Sequence, residues 1–192
     1  SLGYRTTVLD LPGHDLRGEP ARIAATVNRL RAQHPGASVS LIGHSIGGLT
    51  ARWYLDQLGG NRVVDKYIAI GTPQYGSPGA CGQEFGAEAC PGTPYLRQLN
   101  AGINTAGTTQ YFDIRNEREW VDGHLTGRQC RVTPIRDLQP LPDVGLEHTA
   151  EPFDPEVWQA ITDSLAGKCD GVIANQPAGS ITAQSSLYPG RR

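Results

Sequence analysis

Short apolar runs along this chain alternate with segments whose apolar residues recur every three or four positions. TTVLDL (6–11) is a brief apolar run closed by Pro12 and Gly13, which predicts a buried strand. In EPARIAATVNRLRAQH (19–34), Ile23, Val27 and Leu30 fall at helical spacing with charges between them, and Pro35-Gly36 ends the helix. VSLI (39–42) predicts a second strand, interior by composition. A second helix follows in IGGLTARWYLDQLGG, where Leu49, Trp53, Leu55 and Leu58 form the apolar stripe and Gly59-Gly60 the stop. Strands are expected again at 63–71, 108–114 and 130–135, and Asp154-Pro155 caps and opens a last helix, PEVWQAITDSLAG.

Strand, helix, strand, helix, strand is the order of a parallel sheet covered by helices on both faces. The spacing places one domain over residues 1–168. Within it, residues 72–107 are a long connection rich in Gly, Pro and Thr, of the kind that forms a cap or carries function. Residues 169–192 lack periodicity and are expected to be an extended or poorly ordered tail. No internal repeat is seen.

Composition narrows the function classes. The 192 residues suit one compact core, and a net charge of −2 without a basic stripe argues against a nucleic-acid partner. No run approaches the ~18 apolar residues of a membrane span, and residues 1–15 lack the pattern of a signal peptide. Cys81 and Cys90 flank a Gly-rich loop, whereas Cys130 and Cys169 stand alone. These spacings do not make a zinc site, and no metal or other cofactor is expected. Of the three possible pairings, Cys81–Cys90 with Cys130–Cys169 is the one expected. Two disulfides and a loop-rich cysteine region point to a secreted protein.

The chemistry is concentrated in LIGHSIGGLT (41–50). A chain that leaves a strand and enters a helix within about one residue forces that residue toward positive φ. The residues two before and two after then crowd its backbone, which explains Gly43 and Gly47. G-x-S-x-G between strand and helix is a nucleophile elbow that holds a serine hydroxyl above the sheet edge. It places Ser45 at a helix N-terminus, with the Ile46 N–H as the first donor to a developing oxyanion.

A serine needs a base, and the base an orienting acid. In chain order the acid and then the histidine follow the serine. His14 and His34 precede Ser45, His44 points away from it at the elbow, and His124 follows the fourth strand too closely. His148, just before the last helix, is the expected base. For the acid, YFDIRNEREWVDGH offers Asp113, Glu117, Glu119 and Asp122, with Asp113 inside a strand. The residues alone leave the acid open.

DLPGH, GHSIGGLTARWYL, VDKYIAIGTPQYGS and the His148 segment with FDPEVWQAI resemble the secreted bacterial lipases of the α/β-hydrolase superfamily, in particular the small actinobacterial and Bacillus-type enzymes. The likeness spans most of residues 4–166. It implies an α/β-hydrolase fold, a cofactor-free serine hydrolase of carboxylic esters, and an ester or lipid substrate met at a lipid–water interface. The family reads roughly Y-x-S-I-x-S-x-x-D-x-V-V after the relevant strand. Laying Tyr111 and Ile114 on it puts Glu119 at the acid's place, with Asp122 as runner-up. Such lipases also carry a strand ending in His-Gly that supplies the second oxyanion donor. That motif does not occur in these 192 residues, so the expectations are that the N-terminal strand or strands of the fold lie upstream of Ser1, that a nearby loop supplies the donor instead, or that the protein is impaired. The expectation is a serine esterase or lipase acting through Ser45, Glu119 and His148. The alternatives are a hydrolase-fold binding protein without turnover, or an acyltransferase or polyester depolymerase with the same triad. The residues leave acyl-chain preference, acceptor and oligomeric state open.

Overall fold

The computed structural model describes residues 3–115, 123–134 and 146–187. Five strands form one sheet in the order β1 (Ser40–His44), β2 (Lys66–Ile70), β3 (Gln110–Ile114), β4 (Gly127–Val132) and β5 (Val172–Gln176). The first four run parallel, and β5 pairs antiparallel with β4. The helices are α1 (Pro20–Gln33), α2 (Ile46–Gln57), α3 (Pro94–Leu99), α4 (Leu146–Ala150), α5 (Pro155–Leu165) and α6 (Ala183–Leu187).

The alternation of side chains along β2 divides the core. Tyr67 and Ala69 join Ile23 and Val27 of α1 and Tyr54 and Leu55 of α2 on one face. Ile68 and Ile70 join Phe112, Ile114 and the α5 residues Val157, Ala160 and Ile161 on the other. Successive side chains of a strand point to opposite faces, so a five-residue strand buried on both sides reads as one continuous apolar run. Helix α5 starts where its sequence says it should: the Asp154 carboxylate accepts from the Glu156 and Val157 N–H groups, and Pro155 stands at the first position.

Helix α2 is buried on nearly every side, from Gly48 through Leu55. Its sheet-remote face packs against residues 72–107, which form a third apolar cluster of Leu49, Trp53, Tyr95, Leu96 and Leu99 rather than a loose cap. Arg52 is fully buried there. Its guanidinium donates to Gln74 Oε1 at 2.9 Å, to the Leu99 carbonyl at 2.9 Å and to Asn100 Oδ1 at 3.1 Å, and it pairs with Asp56 at 3.7 Å. Gln74 in turn donates to Asp113 Oδ1 at 3.1 Å, which gives that strand carboxylate a packing role. Of the three aromatics Tyr75, Phe85 and Tyr95 in this long connection, Tyr75 and Tyr95 are buried in the core. Their hydroxyls donate to Asn104 Oδ1 and to the Leu49 carbonyl. Phe85 alone of the three aromatics is exposed.

Two expectations change. Residues 6–11 are not a strand: Val8 is 88% exposed, and only Leu9 and Leu11 pack on the α1–α2 core. A strand forms only where a neighbour takes its backbone N–H and C=O groups, and among the described residues none lies beside this segment. The tail, expected to be extended or poorly ordered, supplies β5 and α6. The unpaired edge of β4 gives Val172–Gln176 a hydrogen-bonding partner that no periodicity in its own sequence announces. Both disulfides form as expected, Cys81–Cys90 across the Gly-rich loop and Cys130–Cys169 tying β4 to the end of α5. Among the described residues no helix is long and apolar enough to cross a membrane.

Candidate active site

Ser45 sits where β1 ends and α2 begins. Its φ of 53° and ψ of −131° make it the one non-glycine residue with positive φ among the described residues. Such a backbone costs on the order of 1–3 kcal/mol and persists only where its surroundings impose it. Here the Ser45 N–H donates to the Ile70 carbonyl at 2.9 Å, and the Ser45 carbonyl accepts from the Gly48 N–H at 3.0 Å. The serine side chain does not cap the helix it precedes. Its Oγ lies instead 2.8 Å from His148 Nε2.

The glycines around the turn divide differently from the sequence expectation. A Cβ at Gly43 would stand 2.6 Å from Gly48 Cα, so no side chain fits there. A Cβ at Gly47 would meet nothing within 4 Å. The steric demand passes to Gly48, whose Cβ would come 2.0 Å from Thr72 Oγ1. The Gly71-Thr72-Pro73 stretch after β2 thus seats itself against the start of α2, which is the physical link between GHSIGG and GTP in the sequence. Ile46 opens α2, where the first N–H groups of a helix have no intrahelical partner and the dipole favours negative charge. Its side chain is boxed by two left-handed glycines, Gly13 of the DLPGH turn and Gly86 of the disulfide loop. Gly86 N–H donates to the Gly13 carbonyl at 2.6 Å, joining the two segments.

His148 lies in the short helix α4, not in an open loop. His44, set aside from the sequence as pointing away from Ser45, lies against His148: the ring centroids are 4.7 Å apart and His44 Nε2 stands 2.9 Å from the His148 carbonyl. A carbonyl only accepts, so that contact places the hydrogen of a neutral His44 on Nε2. Burial and the neighbouring His148 hold His44 below the ordinary imidazole range, against the opposing pull of its bond to the His148 carbonyl and of Glu151. Glu151, which the sequence reading did not single out, is 1% exposed. Its Oε2 is 3.4 Å from His148 Nδ1 and 3.8 Å from His44 Nε2. The available signal was its spacing, three residues after His148 in a helical segment, which puts both side chains on one side. Glu119 and its runner-up Asp122 lie outside the described residues. His124 is half-buried just before β4.

A sequence profile described as alpha/beta hydrolase fold matches residues 1–89. The fold is that of an α/β-hydrolase. Among solved structures the chain is similar to the mature lipase BlEst2 of Bacillus licheniformis, with 21% identity and a TM-score of 0.46 over 56% of this chain and 51% of that one. It is similar to lipase B of Aspergillus fumigatus, with 20% identity and a TM-score of 0.45 over 55% and 28% of the two chains. It is also similar to the phospholipase PlaB of Legionella pneumophila in complex with thio-NAD, with 19% identity and a TM-score of 0.49 over 59% and 30%. The matches span from 28% to 51% of those proteins. No curated protein matches the chain. Within the α/β-hydrolase frame, Ser45 and His148 come from opposite ends of the sequence, 103 residues apart, and meet at the C-terminal edge of the sheet.

Proposed function

We propose that this protein is a serine hydrolase of carboxylic esters, a lipase or esterase acting through an acyl-enzyme on Ser45. The observation that carries the reading is the 2.8 Å approach of Ser45 Oγ to His148 Nε2, made by a serine held at positive φ on a helix N-terminus. A serine used only for capping would turn its hydroxyl to the helix.

In the proposed reaction His148 Nε2 takes the Ser45 hydroxyl proton as Oγ attacks the ester carbonyl carbon. The carbonyl oxygen becomes an oxyanion that accepts from the Ile46 N–H and one further donor. The imidazolium then returns the proton to the leaving alcohol as the C–O bond breaks. Water repeats the sequence, giving its proton to His148 and releasing the carboxylic acid and free Ser45. Glu119 is the proposed orienting acid, on the spacing from Tyr111 and Ile114. The two disulfides favour an extracellular setting, and the proposed substrates are ester lipids met at a lipid–water interface.

The test is labelling of the native protein with a fluorophosphonate, followed by hydrolysis of p-nitrophenyl esters from C2 to C16. Labelling at Ser45, lost in Ser45→Ala, with turnover of at least one ester is the expected result. A folded protein that is not labelled would overturn the reading in favour of a hydrolase-fold binding protein. Labelling with acyl transfer to an alcohol in preference to water would make it an acyltransferase.

A further inference from the structure

The Glu151 carboxylate is an anomaly in the chemistry of the site. It is 1% exposed, and among the described residues neither of its oxygens has a hydrogen-bond donor. A buried carboxylate without donors carries a desolvation penalty of several kcal/mol unless a cation compensates it. What it faces are two imidazoles, His148 through Nδ1 at 3.4 Å and His44 through Nε2 at 3.8 Å. Both rings are about one-third exposed at their side chains, so the carboxylate is the dry member of the cluster and the rings its link to solvent.

We propose that Glu151 is a positioning residue, a buried carboxylate that holds the His148 ring from its Nδ1 side and favours the imidazolium formed when Ser45 gives up its proton. The inference rests on the serine-hydrolase reading and deepens it. The contact at 3.4 Å is not a hydrogen bond and becomes an ion pair only when the ring is protonated, which leaves the Nδ1 hydrogen of the neutral ring to a separate orienting acid. Glu151 and Glu119 are thus assigned different tasks.

Three connections make the arrangement stiff. Glu151 follows His148 by three residues, so α4 and the turn after it fix the carboxylate and the ring on one backbone. His44 ends β1 immediately before Ser45 and donates from Nε2 to the His148 carbonyl. The strand that presents the serine is therefore tied to the segment that presents the histidine, with the Glu151 charge beside the joint. The titratable groups brought to the His148 ring include Glu151 from its own segment and His44 from β1. The loop carboxylates Glu119 and Asp122 lie outside the described residues.

The sign of the effect follows from charge. A carboxylate beside Nδ1 favours the protonated ring, so replacing it by a neutral amide lets His148 stay neutral to lower pH. Glu151→Gln is expected to lower the rate of fluorophosphonate labelling and kcat/KM at least about tenfold, since proton transfer by a positioned base contributes ~10²–10⁴-fold. It is also expected to move the acid limb of the kcat/KM profile toward lower pH. Glu151→Asp, which keeps the charge, should bring the limb back toward wild type. A folded Glu151→Gln variant with wild-type rate and an unmoved acid limb overturns the proposal. Where neither variant folds, the histidine tautomers of the wild-type protein decide, read from long-range nitrogen–proton correlations. The hydrogen on Nδ1 of His148 and on Nε2 of His44 is expected, and the opposite tautomer at either ring overturns the arrangement. Failure of wild-type labelling at Ser45 would instead strike the hydrolase reading, which the tautomer measurement does not touch.

Discussion

Gly43→Ala tests whether backbone packing at the elbow sets the serine–histidine distance. The new methyl carbon would lie 2.6 Å from Gly48 Cα and 2.7 Å from Gly48 N, where ordinary contact begins at 3.4 Å. Both obstacles are backbone, so no rotamer relieves them. The start of α2 must retreat from β1 by about 0.8 Å, and Ser45 lies between the two. Added to the present 2.8 Å, that retreat carries Ser45 Oγ out of good hydrogen-bond range of His148 Nε2. A misplacement of ~1 Å at a reacting group can cost about 10²-fold in rate, and overpacking a rigid site costs about 1–3 kcal/mol of stability. Gly43→Ala should therefore fold with a lowered Tm and lose about a hundredfold in ester hydrolysis and fluorophosphonate labelling. Gly47→Ala is the control. Its Cβ meets nothing within 4 Å, and alanine is the better helix residue by roughly 1 kcal/mol, so its Tm should be equal or higher. Wild-type turnover by Gly43→Ala, or a greater loss of stability at Gly47 than at Gly43, would refute the reasoning.

The triad acid is tested by Glu119→Ala, which should lose on the order of 10⁴ in kcat while staying folded, whereas Asp122→Ala should keep most of its activity; the reverse result moves the acid to Asp122. The Cys130–Cys169 bridge closes a span of 39 residues and should contribute about 4 kcal/mol through the unfolded chain, against about 2.7 kcal/mol for the span of 9 at Cys81–Cys90. Thermal unfolding of the paired Cys→Ala variants should then show the larger Tm loss at Cys130–Cys169, and native alkylation should find no free thiol. Burial lifts Asp56 to about 6 despite the opposing Arg52. Because its folded value is raised, the protonated form contributes stability that is full below about pH 4 and is lost as pH rises through about 6. The change corresponds to roughly 3 kcal/mol across that window, and denaturant unfolding of wild type against Asp56→Asn between pH 4 and 7 should show it; a constant difference would contradict it.

The sequence by itself determined what local periodicity and turn chemistry encode. The Ile23–Val27 spacing, the Asp154-Pro155 start and the apolar runs at β1 through β4 made helices and strands close to where they were expected, because each signal lies within a few residues. Ser45 was legible for the same reason: G-x-S-x-G between a strand and a helix imposes its backbone locally. The exclusion of His14 and His34, and the choice of His148, came from chain order. Tertiary structure decided whatever depended on a neighbour distant in sequence. Residues 6–11 have strand composition yet lie exposed, since a strand exists only through its partner, and Val172–Gln176 became β5 because β4 offered an edge. Tyr75 and Tyr95 lie in a stretch that reads in sequence as a cap or functional connection, and they are core residues because α2 packs its far face on that stretch. His44 and Glu151 joined the site for the same reason. His44 is 104 residues from His148, and Glu151 is an ordinary charge in sequence until folding removes the water around it and sets two imidazoles beside its carboxylate.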